Sequence, residues 1–191
     1  MQIIDYNKKF KESLPAKKER LVLHTCCAVC GAGVLERSFL VGGNKRKMSD
    51  YFEITLYFYN PNIDTLDEYN KRAAEVQKLV ETISSKRPHL VVENYVFFKT
   101  DSSCQTCIKH RLQAAANFAA KSNIKNFCTT LSVSPHKDPK IINILGAQIA
   151  AASNLNFLQA DFKKENGFLT ANQISVKLNL YRQNYCGCKS L

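Results

Sequence analysis

Residues 21–30 read Leu21-Val22-Leu23-His24-Thr25-Cys26-Cys27-Ala28-Val29-Cys30. A short apolar run ends there on a group of cysteines. Four to eight apolar residues stopped by a change of chemistry read as a buried strand. The stretch beyond it predicts a helix from Gly31 to Val41, with Val34, Leu35, Ser38 and Phe39 on one side and Gly42-Gly43 stopping it. A strand that passes through a cysteine loop into a helix is the start of a βαβ unit, and the rest of the chain repeats the alternation.

Asn44 to Asp50 reads as a charged connector. Phe52 to Tyr59 is β-branched and aromatic, hence a strand, and Asn60-Pro61 breaks it. Thr65 with Glu68 three residues on forms a capping-box pattern for a helix whose apolar face is Tyr69, Ala73, Val76, Val80 and Ile83. Leu90 to Phe98 is a third strand. The loop carrying Cys104 and Cys107 opens an alanine-rich helix through Lys121. Strands follow at Asn126–Leu131 and Asn156–Phe162, with a helix from Asp138-Pro139 to Ala152 between them and a short one at Asn172–Leu180. Strands alternating with helices predict an α/β fold. It is a single three-layer domain with a mostly parallel sheet, Rossmann-like or HUP-like, and its ligands collect at the C-terminal rim of the strands.

That topology gives the cysteines a meaning. Seven of the eight fall into three groups: Cys26, Cys27 and Cys30; Cys104 and Cys107; Cys186 and Cys188. The first two groups follow strands and open helices, where the helix N-terminus stabilises a thiolate. Grouped thiolates suit an iron–sulfur cluster, zinc or copper(I). The adjacent pair Cys26-Cys27 favours a cluster over one zinc ion, since neighbouring residues struggle to aim both sulfurs at a single tetrahedral metal. Cys186-Gly187-Cys188 reads as a redox pair or, reduced, as a metal ligand. Cys128 lies within a strand and reads as an ordinary buried thiol.

Composition narrows the partners. Lys and Arg number 27 against 16 acidic residues, a net charge of +11, and the excess is gathered at 8–11, 17–20, 45–47 and 163–164. Clustered positive charge points to a nucleic acid. No apolar run approaches the roughly 18 residues of a membrane span. The N-terminus lacks the pattern of a secretory signal, so the protein is expected in the cytoplasm, where grouped cysteines bind metal more often than they staple a fold. No Gly-rich phosphate loop and no Ser/His/Asp arrangement is present.

Three further side chains point at the rim. His24 ends the first strand beside the cysteines and either moves a proton or serves as a hydrogen-bonded structural histidine. Asp161, at the end of the fifth strand, either completes a mixed thiolate–oxygen metal site or pairs with Lys163 or Lys164. One of Tyr57, Phe58 and Tyr59 can stack on a flat base while the others fill the core.

Taken in order, five motifs are similar to those of a known family. They are Leu23 to Cys30; Phe58-Tyr59-Asn60-Pro61-Asn62-Ile63 with Glu68-Tyr69 and Arg72; Cys104-x-x-Cys107 with Arg111-Leu112; Thr129-Thr130-Leu131-Ser132-x-Ser134-Pro135; and Leu180-Tyr181-Arg182-Gln183-x-Tyr185-Cys186-Gly187-Cys188. The set resembles QueH, the cobalamin-independent epoxyqueuosine reductases of tRNA queuosine synthesis, over nearly the whole chain. Val29, His136 and Cys128 depart from the usual pattern, but no cysteine of it is missing.

The basic, weakly patterned stretch 1–20 reads as an N-terminal arm, and the resemblance implies an epoxyqueuosine reductase domain over 21–191. It implies a [4Fe-4S] cluster on Cys26, Cys27, Cys104 and Cys107, a redox-active Cys186–Cys188 pair, and an additional iron ion beside the cluster, for which Cys30 and Asp161 are the candidates offered by the residues. The implied reaction is the last step of queuosine modification: a two-electron, two-proton deoxygenation of epoxyqueuosine in tRNA, with electrons from a donor that the sequence does not identify. A proton donor such as His24 or Tyr181 would help the oxygen leave. The competing expectation is a zinc-bound RNA-binding protein without catalysis.

Overall fold

In the computed structural model, which describes residues 4–83, 86–98 and 104–187, the opening stretch is indeed a strand that runs into a helix. The chain runs α1 (Tyr6–Glu12), β1 (Glu19–Thr25), α2 (Ala28–Leu35), β2 (Phe39–Val41), β3 (Asn44–Arg46), α3 (Met48–Tyr51), β4 (Phe52–Phe58), α4 (Leu66–Thr82), β5 (His89–Val92), α5 (Cys104–Lys121), β6 (Asn126–Thr129), a 3-10 turn (Thr130–Val133), α6 (Pro139–Ser153), β7 (Asn156–Phe157) and α7 (Gly167–Lys177). Five strands form one sheet in the order β5-β4-β1-β6-β7, and every neighbouring pair is parallel.

Alternation along the strands splits the apolar residues between two cores. Leu21 and Leu23 of β1 join Phe52, Ile54, Leu56 and Phe58 of β4 on one face, which α2, α4 and α7 cover. Val22, Tyr57 and Phe127 point to the other face, under α5 and α6. Each fully buried leucine or phenylalanine contributes about 1.5–3 kcal/mol relative to exposure, so the central β1 is anchored from both sides. These are the three layers the element pattern predicts.

Several boundaries differ from the expectation. The predicted helix over Gly31–Val41 starts earlier and stops at Leu35, and Phe39–Val41 is instead the first strand of a hairpin. Gly42 and Gly43 have φ of +55° and +79°, the two consecutive positive values that a tight hairpin turn requires. The expected connector over Asn44–Asp50 is the second hairpin strand followed by the single turn α3. The predicted capping box is half made: Thr65 Oγ1 accepts from the Glu68 amide at 3.3 Å, while the Glu68 carboxylate turns to Arg72.

The strands expected at Leu90–Phe98, Asn126–Leu131 and Asn156–Phe162 end early, at Val92, Thr129 and Phe157. In the last case side chains replace the ladder. The buried Asn143 amide bonds both backbone groups of Ala160 (3.0 and 3.1 Å), the Cys128 thiol donates to the Leu158 carbonyl, and Ser132 Oγ accepts from the Phe162 amide. The helix expected at Asn172–Leu180 runs from Gly167 to Lys177. Within the basic N-terminal stretch, Asp5 caps α1, whose Phe10 is buried against Phe39 and Phe162 at 5.1 and 5.3 Å between ring centres.

Candidate metal centre at the sheet rim

Strand order reverses beside β1. Strands β4 and β5 are laid down on one side of it, and β6 and β7 on the other. At such a switch point the loops leaving neighbouring strands diverge to opposite faces and open a crevice at their carboxyl ends. The first cysteine group fills this crevice. Cys26 follows β1 directly, and its amide donates to Thr130 Oγ1 beyond β6 at 3.3 Å. Cys27 caps the N-terminus of α2, its sulfur accepting the Cys30 amide at 3.4 Å. The sulfurs of Cys26, Cys27 and Cys30 all lie within 4.8 Å of one another, and among the described residues no other trio of metal-ligating side chains is so close.

The trio shares its protons unequally. Hydrogen bonds from the Cys26 and Cys30 thiols, with further ones from Gln183 and the Cys30 amide, hold Cys27 well below the usual thiol range. Cys26, donating to Cys27, is pushed up to about 11, and Cys30, donating to Cys26 and Cys27, rises well above its ordinary value.

Cys104 and Cys107 occupy the first turn of α5 rather than a loop before it. Three residues apart, they share a helix face. Neither joins the 4.8 Å trio. Two cations attend them. Arg111, one turn after Cys107, is only 1% exposed, and its Nε donates to the Cys107 carbonyl at 3.3 Å. Its Nη2 is buried without a hydrogen-bond partner among the described residues. Lys137, 9% exposed, directs its ammonium at Cys104 Sγ at 3.9 Å, and Lys163 Nζ holds the Lys137 carbonyl at 2.8 Å. Burial pushes the Cys107 thiol up, and the charges of Arg111 and Lys137 oppose that shift. The Arg111 charge also favours thiolate at Cys26, so its field reaches both cysteine groups.

The third group arrives on the segment after α7. Arg72 of α4, 2% exposed and paired to Glu68 at 2.7 Å, donates to the carbonyls of Cys186 (3.1 Å) and Tyr185 (3.3 Å). Asn62 Nδ2 also donates to the Cys186 carbonyl, and the Asp64 amide donates to that of Gly187. Gly187 has φ of +108°, and a Cβ there would stand 3.0–3.3 Å from Ile63, Asn62 and Arg72, so only glycine fits. This clamp brings Cys186 close enough to Cys107 for its charge to oppose ionisation of the Cys107 thiol. Cys188 lies outside the described residues.

The other candidates have definite surroundings. His24 is fully buried, with Nδ1 2.8 Å from Thr129 Oγ1 and Nε2 3.1 Å from the Tyr59 carbonyl. Burial, seconded by Arg111, lowers it to about 4. Asp161 is buried, forms an ion pair with Lys163 at 3.8 Å, and has Oδ1 without a hydrogen bond. It does not belong to the 4.8 Å trio. The Tyr181 hydroxyl lies 3.3 Å from Glu68 Oε2, with Lys71 Nζ 3.7 Å above its ring. Sequence reasoning assigned no role to Arg72, Arg111, Lys137 or Gln183. The i, i+4 spacings Glu68–Arg72 and Cys107–Arg111 were the available signals; Lys137 and Gln183 reach the site only through tertiary packing.

No described helix is long and apolar enough to cross a membrane. The profile of the family described as epoxyqueuosine reductase QueH matches residues 21–190. Curated relatives that carry the name epoxyqueuosine reductase QueH include the following three. The protein from Dehalococcoides mccartyi is 31% identical, covering 88% of this chain and 90% of its own. The one from Thermotoga maritima is 30% identical, covering 88% of each. The one from Streptococcus pyogenes serotype M1 is 29% identical, covering 93% of this chain and 71% of its own.

Proposed function

The chain belongs to the epoxyqueuosine reductase QueH family, an oxidoreductase family that reduces epoxyqueuosine in tRNA to queuosine, and on that premise we propose that the cysteine-lined rim carries a [4Fe-4S] cluster on Cys26, Cys27, Cys104 and Cys107. The observation that carries this reading is the charge of the rim. Arg111 is a buried cation with an orphaned Nη2 between two cysteine groups, and Lys137 is a second cation aimed at Cys104. Such a pair needs a negative group to face, and a cluster bound by four thiolates supplies one. A cubane offers a different iron to each cysteine, so the neighbours Cys26 and Cys27 can each take their own.

When bound, the cluster supplies electrons to the substrate. The remaining steps fall to the chain's own side chains. The reduction adds two electrons and two protons: both C–O bonds of the epoxide break, an alkene forms, and oxygen leaves as water. Tyr181, half-buried over α4 with its hydroxyl at Glu68, is the proton donor we favour. For His24 we propose a positioning role, because both ring nitrogens are engaged and burial disfavours its protonated form. Arg72, Asn62 and Asp64 present Cys186 to the rim, where it works with Cys188 as a redox pair. Cys30 and Asp161 are the candidates for an additional iron. The reading places the enzyme in the cytoplasm with its tRNA.

Anaerobically purified protein should be brown, carry iron and acid-labile sulfide, and convert epoxyqueuosine to queuosine in tRNA digested to nucleosides. Cys186→Ser should keep the colour and lose turnover. Turnover by a colourless protein free of iron would overturn the cluster assignment. The close trio of Cys26, Cys27 and Cys30 also suits a single tetrahedral ion, and one zinc per chain with no sulfide would mark that second reading.

A further inference from the structure

We infer that the aromatic segment 96–98, stacked on His110, is a platform for an unpaired base of the tRNA substrate beside the nucleotide being reduced. This rests on the reading that tRNA is the substrate. Val96, Phe97 and Phe98 are between 41 and 54% exposed, and Val92 of the edge strand β5 is 44% exposed nearby. Contiguous apolar surface of this kind marks an interaction site more often than an accident of composition.

The segment is pinned in place. After β5 it leaves the sheet and crosses the loop that follows β4. The Glu93 amide donates to the Phe58 carbonyl at 3.1 Å, the Tyr95 hydroxyl to the Ile63 carbonyl at 3.2 Å, and the Phe98 amide to the Pro61 carbonyl at 2.8 Å. Phe98 continues an ordered stack. Phe98 lies 4.6 Å from His110 with planes 11° apart, His110 lies 5.9 Å from Tyr59, and Tyr59 leads through Tyr57 to Phe118 at 4.6 Å. Inside the column Tyr57 is buried, and the last ring, the partly buried Phe118, belongs to α5. The outer end, Phe98, is 41% exposed, where one more flat ring can extend the column.

The column is continuous with the metal centre. His110 and Arg111 are neighbours on α5; the first faces the aromatic rings and the second faces the cysteines. Asn60, in the loop beneath the platform, donates to the Thr25 carbonyl at 3.0 Å, immediately before Cys26. The platform is thereby linked to the cysteine groups through adjacent residues of α5 and through the loop that follows β4. Single-stranded RNA is bound by this division of labour: cations track the phosphates, while aromatic faces hold splayed bases. The net charge of +11 supplies the first part, and the platform supplies the second.

The two contributions separate in salt. Phosphate contacts weaken steeply as salt rises, whereas stacking does not. The test measures affinity of the iron-loaded protein for tRNA isolated from cells lacking the reductase, from 50 to 300 mM salt, for Phe97→Ala, Phe98→Ala and Phe98→Trp. Each alanine variant should weaken binding by about 5- to 100-fold with an unchanged salt slope. Phe98→Trp should bind like wild type, and iron content should stay constant throughout. Phe97→Ala keeps the test decisive if Phe98→Ala misfolds. Affinities within twofold of wild type for both alanine variants would overturn the platform. So would a wild-type dimer that becomes a monomer in those variants, since the patch would then be a subunit interface. If wild type neither binds this tRNA nor reduces it, the proposed substrate fails instead, a result distinct from either.

Discussion

Replacing Arg72 by Met tests whether α4 holds the third cysteine group at the rim. Arg72 is 2% exposed and crosses from α4 to the later segment with two hydrogen bonds, to the carbonyls of Cys186 and Tyr185. A hydrogen bond from a charged donor contributes about 1.5–3 kcal/mol. The lower figure applies here, because the Cys186 carbonyl keeps Asn62. Two such bonds give about 3 kcal/mol, so the open form of the segment should become roughly a hundredfold more populated. Two probes report that population: hydrogen exchange at the Asp64 amide, which donates to Gly187, and alkylation of Cys186 followed by mass spectrometry. Both should accelerate together, with exchange in the β1 core unchanged. Glu68 loses its cation and keeps only the Tyr181 hydroxyl, so a double variant with Glu68→Gln removes the uncompensated charge and should show the same acceleration with less loss of Tm. If the folded single and double variants exchange and alkylate at wild-type rates, the clamp does not hold the segment.

Three other outcomes are expected. Serine at Cys26, Cys27, Cys104 or Cys107 should each sharply lower iron and sulfide, while Cys128→Ser leaves both unchanged; the reverse pattern sinks the ligand assignment. Asn143→Leu strips both backbone partners from Ala160, which should cost about 3 kcal/mol, or about 6–12 °C of Tm by calorimetry; an unchanged Tm would mean that residues 158–162 need no such support. Burial raises Cys128 to about 12, so the folded thiol stays protonated while the unfolded one ionises. Its contribution is complete below pH 9 and is lost as pH rises from 9 towards 12. Cys128→Ala should therefore show a flatter alkaline fall in stability by denaturant titration.

The sheet was legible because its central strands are written in a period that nothing else fits. Leu21–His24 and Phe52–Tyr59 carry runs too apolar for a surface and too short for a helix, and both appear where expected. The edges were harder to read. Asn156–Phe162 looks like a strand, but past Phe157 its backbone is met by Asn143, Cys128 and Ser132, partners distant in sequence that no local pattern reveals. Gly42-Gly43 was ambiguous for a different reason, since positive φ serves a helix end and a hairpin turn equally. At the site, the cysteine grouping announced a centre. The cations around it were legible only as motif residues: Arg72 and Arg111 stand in the quoted motifs, but their burial and what they face come from packing.

The assembly of the rim from Cys26, Cys104 and Cys186 also sets a timetable during synthesis. About 160 residues separate the first of these from the last. At translation rates of about 5–20 residues per second, that interval is roughly 8–32 s. Throughout it the Cys26, Cys27 and Cys30 thiols are already made while Arg72 has no Cys186 carbonyl to grip. A metal met by the nascent chain before residue 107 is made would meet only part of the proposed ligand set, and the segment Tyr181–Gly187 docks on α4 later still.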